Sequence, residues 1–555
     1  MKRKILVTSA LPYANGHIHI GHLVEYIQTD IWVRFQKMRG HDCRYMCADD
    51  THGTPVMVSA RRQGITPEEL VEAMNAQHRR DFADFHIEFD CYYTTNSPEN
   101  REFAETIYGK MREGGHVVEK EIEQFYCEND RMFLPDRFIK GICPRCGARD
   151  QYGDSCEACS STYSPVELGE PFCSVCSAGP VRKKSVHYFF RLADFSSRLE
   201  EWMSGDHVQP EVRRKLMEWF REGLRDWDIS RNAPYFGFLI PGTEDKYFYV
   251  WLDAPIGYMA ATRKWCQEAG RDFDEFWRSD ESEIYHFIGK DIMYFHCLFW
   301  PAMLMCAGFR TPTRVCIHGF LTVNGEKMSK SRGTFINARK YLEHLDAQYL
   351  RYYYAGKLGS GIGDIDLSLD DFGARVNSEM VGKIVNLASR VGPMLRKKLD
   401  GKTGVIPEEA VPLVRSAREA AAGIALFYEE REFARVIKEV CRIADEANRF
   451  LEKREPWVSI KTDPERTRET ITAALEIFRL LALYLKPVLP KFSADSERFL
   501  RIEPLLWSDV ENSVENHEIG EFTHLIKRVE PAAIQALIDE SRQEMEEAAA
   551  GLNKS

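Results

Sequence analysis

Three sets of residues in this chain have the type and spacing to do chemistry. The segment Pro12-Tyr-Ala-Asn-Gly-His-Ile-His-Ile-Gly-His22 places imidazoles at His19 and His22, with Gly16 and Gly21 leaving room for a ligand to approach the backbone. Far along the chain, Lys327-Met-Ser-Lys-Ser331 puts two ammonium groups, Lys327 and Lys330, on a short stretch rich in Gly, Ser and Lys. The third set is Cys143-Pro-Arg-Cys146 followed after nine residues by Cys156-Glu-Ala-Cys159, a spacing that suits tetrahedral zinc bound by four sulfurs. Gly147 and Tyr152-Gly-Asp154 supply the turns that bring the two pairs together. Cys127-x-x-Asp130 and Cys173-x-x-Cys176 nest around this set as a second group of donors, with a carboxylate that is unusual in a structural site. Whether one ion or two are held stays open.

These residues need elements to position them. Ile5–Ala10 reads as a buried parallel strand, and the periodic stretch Leu23–Met38 as a helix closed by Gly40. His19 and His22 then sit at a strand-to-helix turn, where free N–H groups and the helix dipole favour an anion. Residues 1–115 alternate strand-like segments (Ile5–Ala10, Arg44–Ala48, Asp90–Thr94) with helical ones, the βαβ rhythm of a doubly wound sheet. Residues 116–230, with the cysteine pairs, interrupt that rhythm as an insertion. Residues 231–320 resume it, with strands expected at Tyr247–Leu252 and Glu283–Ile288. Residues 321–371 carry the lysine pair. Residues 372–555 read as an all-α region, with helices at Phe372–Lys398, Val411–Glu429, Phe433–Lys453, Thr467–Leu485 and, acidic and amphipathic, Pro531–Ala550.

Composition sets the frame. The 555 residues suffice for roughly three or four domains, and 44% hydrophobic with 29% charged residues describes an ordinary globular chain. A net charge of −11 argues against non-specific polyanion binding over the whole surface, so nucleic-acid contact must rest on local basic patches. Met1-Lys-Arg-Lys4 is followed by too short an apolar run for a signal peptide. The longest apolar stretch, Ile292–Phe309, contains His296 and Pro301 and reads as a buried helix. Fifteen cysteines without a secretory signal point away from a disulfide framework. No membrane is expected, and the chain reads as cytoplasmic.

The His and Lys motifs, in this order and these contexts, resemble the paired signatures of class I aminoacyl-tRNA synthetases. Within that class the chain resembles the methionyl-tRNA synthetase family. The match is carried by Ala10-Leu-Pro-Tyr-Ala-Asn-Gly16, Ala48-Asp-Asp50 with His52-Gly-Thr-Pro55, Trp251-Leu-Asp-Ala-Pro-Ile256, Phe287-Ile-Gly-Lys-Asp-Ile292, Phe295-His-Cys-Leu-Phe-Trp300, His318-Gly-Phe320 and Asn386-Leu-Ala-Ser-Arg390. The resemblance covers nearly the whole chain. It implies a Rossmann-type nucleotide-binding domain interrupted by a zinc-knuckle insertion, with a helical anticodon-binding domain after it.

It also implies a two-step reaction in which methionine and ATP give methionyl-adenylate and pyrophosphate, and the terminal ribose of tRNA(Met), initiator tRNA included, then takes the methionine. By that resemblance His19, His22, Lys327 and Lys330 are catalytic, stabilising the phosphates in an in-line displacement that needs no protein nucleophile. Tyr13, Gly21, Gly289, Asp291 and Ser329 join them around ATP. Leu11, Tyr13, Trp251, Ala254, Pro255, Tyr258, Ile292, Phe295, His296 and Trp300 surround the methionine thioether, since sulfur packs well on aromatic edges. Asp50, at the C-terminal end of a strand, takes the ammonium. Magnesium comes with ATP, bound through the phosphates, and zinc is structural. Asn386, Arg390, Pro456 and Trp457 match the family's anticodon-reading positions, and Arg390, Arg396, Lys397, Lys398 and Lys402 form a basic patch for phosphates. The larger members' C-terminal oligonucleotide-binding module, which carries dimerisation, is not seen past about residue 550, so a monomer is expected. Two other readings compete. A leucine, isoleucine or valine enzyme would need a larger editing insertion, and a cysteine enzyme a zinc at the catalytic site. A silent tRNA-binding paralogue would have lost members of the His and Lys pairs, and all four are present.

Overall fold

The computed structural model describes residues 2–135, 138–153, 156, 159, 161, 163, 165–328 and 335–552. Its centre is a five-stranded parallel sheet. The chain lays down β1 (Lys4–Ser9), α1 (Ile20–Met38), β2 (Asp42–Asp49) and β3 (Cys91–Thr94), then departs into the insertion. There β4 (Val117–Cys127) pairs antiparallel with β5 (Val181–Phe190), and the cysteine pairs lie between them. The short strands β6 (Trp227–Asp228), β7 (Ser230–Asn232) and β8 (Lys246–Phe248) lead back to β9 (Ser282–Gly289) and β10 (Arg314–His318). The sheet order is β10-β9-β1-β2-β3. β1 is thus flanked by β9, in register Thr8 to His286, and by β2, in register Thr8 to Met46. Parallel strands buried on both faces read as continuous apolar runs, which is why Ile5, Leu6 and Val7 are all fully buried.

α1 is enclosed almost all round. Fifteen of its 19 residues are buried, including Glu25, Gln28, Asp30 and Gln36. One face lies on the sheet and the other meets the helical region, where α2 (Ala347–Lys357) packs against it. Asp30 pairs with Arg34 at 2.7 Å and with Arg351 of α2 at 2.6 Å. Arg351 also donates to the carbonyls of Phe85, His86, Pro487 and Val488, so its buried guanidinium ties four segments together. Beyond it run α3 (Asn386–Lys398), α4 (Phe433–Arg454) and α5 (Pro464–Leu485) with the helix Val411–Glu429, and Pro531–Leu552 forms the last helix. Among the described residues no helix is long and apolar enough to cross a membrane.

Three expectations are revised. Tyr247–Leu252 is not one strand: β8 ends at Phe248, and Val250–Asp253 turns as a helix, with Ala254 N donating to Val250 O at 2.8 Å. Aromatic and β-branched content favours a strand there, but the backbone leaves the extended conformation after Phe248, and the helical turn still buries Leu252 in the same core as Phe248. The helix expected from Ile292 is a succession of a 3₁₀ turn, a π turn at Phe295–Phe299 and an α-helix at Trp300–Ala307. A second π segment, Val376–Val385, runs into α3 within the stretch expected as one helix. Such insertions re-aim side chains and recur at functional sites.

Candidate functional site

The turn between β1 and α1 is built by its own histidines. His19 is the N-cap of α1, extended at φ −124° and ψ 166°, and its Nδ1 accepts from the backbone N–H of Gly21 at 3.1 Å and of His22 at 3.3 Å. His22 Nδ1 accepts in return from His19 N–H at 3.3 Å. The two rings stack with centroids 3.6 Å apart. The first N–H groups of the helix are therefore taken by imidazole and not left open to an anion, which corrects the expectation from spacing. With Nδ1 accepting in both rings, each neutral imidazole carries its hydrogen on Nε2. Burial, with His19 alongside, holds His22 well below the usual histidine range. His22 therefore offers an N–H donor and not positive charge.

Both rings open on a cavity of about 790 Å³. Asp50 lies just past the end of β2, where Tyr13 forms a backbone bridge to it, and its Oδ1 is buried with no partner among the described residues. Burial, and then Asp253, push its carboxyl well above the usual range. A buried acceptor of this kind asks for a cation. Leu11, Tyr13, Trp251, Ala254, Pro255, Tyr258, Ile292 and His296 line the same space. Tyr258 donates to His296 Nε2 at 2.8 Å, and His296 Nδ1 donates to Ile292 O at 3.2 Å, so the polar atoms of that wall satisfy one another. Burial brings His296 down to about 4, which leaves it neutral. Phe295 and Trp300, expected in this pocket, stand behind its wall. Phe295 stacks on Trp251 at 3.9 Å, and Trp300 donates from Nε1 to buried His286 at 3.0 Å.

At the other end the cavity meets Gly21, Gly289 and Asp291. A Cβ on Gly21 would come within 2.6 Å of Met328 Cε, so the glycine permits a close approach here. Only the backbone of Lys327 is described, and Ser329 and Lys330 lie outside the described residues. Polar residues of the cavity that were not expected at the site include Glu25, His318 and Arg231. Glu25 Oε2 lies 3.3 Å from His318 Nε2, while burial raises the Glu25 carboxyl and leaves its Oε1 unpartnered among the described residues. Arg231 is the one lysine or arginine among the described lining residues. No periodicity marks it among 74 basic residues. The available signal was chemical: an α-amino acid presents a carboxylate as well as an ammonium, and Asp50 answers only the second.

The cysteine sets converge as their spacing predicts. The sulfurs of Cys143, Cys146, Cys156 and Cys159 all lie within 4.8 Å of one another, with Cys146–Cys156 at 3.5 Å and Cys143–Cys159 at 3.8 Å. Zinc about 2.3 Å from each tetrahedral sulfur requires sulfurs about 3.8 Å apart, so the donor set fits that ion. Cys146 N–H and Cys159 N–H point at Cys143 Sγ and Cys156 Sγ at 3.5 and 3.4 Å, contacts that favour thiolate. Cys127, Asp130, Cys173 and Cys176 form a second group just as tight, with Asp130 Oδ2 3.2 Å from both Cys127 and Cys173 sulfurs. Either cluster could hold a metal ion.

In the helical region, Asn386 opens α3 and its amide reaches Asn448 of α4 at 3.4 Å. One turn on, the Arg390 guanidinium lies 4.3 Å above the Trp457 ring. Pro456 is buried and starts the short helix that carries half-buried Trp457. The fold thus gathers all four expected residues on one side of the α3–α4–α5 bundle.

Comparison with known proteins gives concordant results. Residues 5–392 match the family model described as tRNA synthetases class I (M), and residues 402–554 that of the anticodon binding domain of methionyl tRNA ligase. The methionine–tRNA ligase of Bdellovibrio bacteriovorus is 53% identical over 547 residues, 98% of this chain and 80% of that protein. That of Thiobacillus denitrificans is 54% identical over 552 residues, with the same coverage. The Mycobacterium tuberculosis methionyl-tRNA synthetase solved in complex with methionyl-adenylate superposes with a TM-score of 0.79 at 25% identity, over 95% of this chain and 100% of that one. The chain belongs to the methionyl branch of the class I tRNA synthetases.

Proposed function

We infer that the chain is a methionine–tRNA ligase. The observation that carries the reading is that one cavity pairs Asp50, a buried carboxyl with one oxygen unpartnered among the described residues, with Arg231, the one guanidinium among the described lining residues, around an aromatic pocket, and runs on to the His19–His22 turn. Asp50 and Arg231 complement the two charges of a free amino acid. The wall of Trp251, Tyr258, Ile292 and self-satisfied His296 suits a soft apolar side chain.

In the first step a methionine carboxylate oxygen bonds to the α-phosphorus of ATP, the bond from that phosphorus to the bridging oxygen breaks, and pyrophosphate leaves with the electron pair. The Nε2–H groups of His19 and His22 meet the phosphate oxygens, and Lys327 and Lys330 answer the charge growing at the β/γ end. Asp291, Glu25 and His318 border the nucleoside end. In the second step a terminal ribose hydroxyl of tRNA attacks the adenylate carbonyl. The bond to AMP breaks, and the hydroxyl proton leaves with the phosphate or to solvent. Magnesium would come with ATP and, when bound, would offset phosphate charge. Zinc, held by Cys143, Cys146, Cys156 and Cys159, and a second ion by Cys127, Asp130, Cys173 and Cys176, would pin the insertion. Asn386, Arg390, Pro456 and Trp457 form the face for the anticodon of tRNA(Met), elongator and initiator. The enzyme is read as cytoplasmic. Pyrophosphate exchange into ATP tests the assignment: it should require methionine, and equal exchange with leucine would overturn it.

A further inference from the structure

The insertion reaches into the cavity through a chain of hydrogen bonds that ends in an ion pair with Arg231. His187 sits on β5, fully buried. Its Nδ1 is 2.9 Å from Asp228 Oδ2, and its Nε2 is 3.0 Å from Gln124 Oε1 of β4. Gln124 Oε1 also accepts from Asn232 Nδ2 at 2.8 Å. Nε2 also lies 3.2 Å from Asn232 Nδ2, whereas Nδ1 faces only the Asp228 carboxylate, so the imidazole donates there from Nδ1 and Asp228 is gripped from the insertion side. Asp228 Oδ1 accepts from Ser230 N and Oγ at 3.0 and 3.1 Å, which fixes the carboxylate plane. Its Oδ2 then lies 3.3 Å from Arg231 Nη1. The same guanidinium donates to Ser230 O at 2.6 Å and lies 3.6 Å from the Tyr249 ring centroid. Burial alone would raise the Asp228 carboxyl, yet the His187 hydrogen bond and Arg231 bring it below the usual range. Arg231 borders the main cavity and also a side pocket of about 240 Å³ walled by Gln124, Asp228 and Asn232.

We propose that His187 and Asp228 are positioning residues for Arg231, so that the insertion's sheet sets the angle at which the amino acid's carboxylate is held. This rests on the reading of Arg231 as the carboxylate's partner. A long side chain with this much rotamer freedom loses alignment when one anchor goes, and a displacement near 1 Å at a reacting group can cost about 100-fold.

The test uses the whole enzyme and two ligands: methionine, and methioninol, which keeps the ammonium and thioether but lacks the carboxylate. Asp228→Asn and His187→Gln should each weaken methionine binding about 10- to 100-fold, leave methioninol binding within experimental error, and leave the KM for ATP unchanged. In an Arg231→Gln background the Asp228→Asn change should add nothing, because its effect runs through a guanidinium no longer present. Asp228→Glu, which keeps the charge, should recover part of the loss. Equal weakening of methionine and methioninol, or full additivity with Arg231→Gln, would mark a merely structural role and overturn the proposal. If Arg231→Gln itself fails to separate methionine from methioninol, the reading of Arg231 fails. If it separates them and Asp228→Asn does not, the positioning role alone fails.

Discussion

Asp50→Asn sets function against stability at a single position. The ammonium of methionine should meet the Asp50 carboxylate where it has no other partner, so the substitution leaves a cation facing a neutral amide. Charge-assisted hydrogen bonds are worth about 1.5–3 kcal/mol, and a buried charge losing its partner about 3–5 kcal/mol. The cavity is open to its ligand, which places the expected cost between these, near 2–4 kcal/mol, or roughly 30- to 1,000-fold in the methionine dissociation constant. Burial and Asp253 raise the Asp50 carboxyl. For a carboxyl whose folded value exceeds its unfolded one, the folded protein holds the proton more tightly, so stability falls as pH rises from the unfolded value through the folded one. Asp50→Asn removes that penalty and should raise the Tm at neutral pH. Wild-type methionine affinity should also weaken as pH falls through a window above the ordinary carboxylate range, and the variant should lack that limb. Calorimetric titration with methionine across pH, with thermal melts on the same samples, measures all three. Unchanged methionine affinity in the variant would refute the ammonium role, and a lowered Tm would refute the burial argument.

Three further outcomes are expected. Lys330→Ala should lose about 10²–10³-fold in kcat for pyrophosphate exchange with little change in methionine KM, since its charge contact grows only as pyrophosphate leaves; a wild-type rate would exclude it from catalysis. Elemental analysis should find zinc, Cys146→Ser should remove one equivalent and loosen the insertion to protease, and a count of two falling to one in Cys173→Ser would establish the second site, whereas an active, metal-free enzyme would contradict both. Trp457→Ala should leave adenylation intact but weaken tRNA binding by about 1–3 kcal/mol, with a much smaller loss for a tRNA lacking the CAU anticodon; loss of pyrophosphate exchange would make Trp457 a packing residue.

Residues tied to local geometry were legible in the sequence. The Ile5–Ala10 run, the His19–His22 turn and the cysteine pairs are short-range patterns, and a few backbone torsions place them. The rest depended on tertiary contacts. His19 satisfying the helix start through Nδ1 is a rotamer choice that spacing cannot disclose. Phe295 and Trp300 carry the right side chains for the pocket, but the π turn at Phe295–Phe299 sets which face of the helix meets it. Arg231, Glu25 and His318 come from three separate segments, and only the folded chain brings them together.

Arg351 has a consequence for how the chain can be divided. Its five hydrogen bonds reach Asp30 on the histidine-bearing helix, the Phe85–His86 corner and the Pro487–Val488 turn. Trp32 and Gln36 of α1 likewise bond to Glu429 in the helical region. A cut between the nucleotide-binding half and the helices would strand a buried carboxylate on one fragment and expose the apolar back of α1. The two halves therefore hold separate chemical tasks but form one cooperative unit. The intact chain should melt in a single transition, and a fragment ending before Arg351 should be insoluble unless the missing helices are supplied in trans.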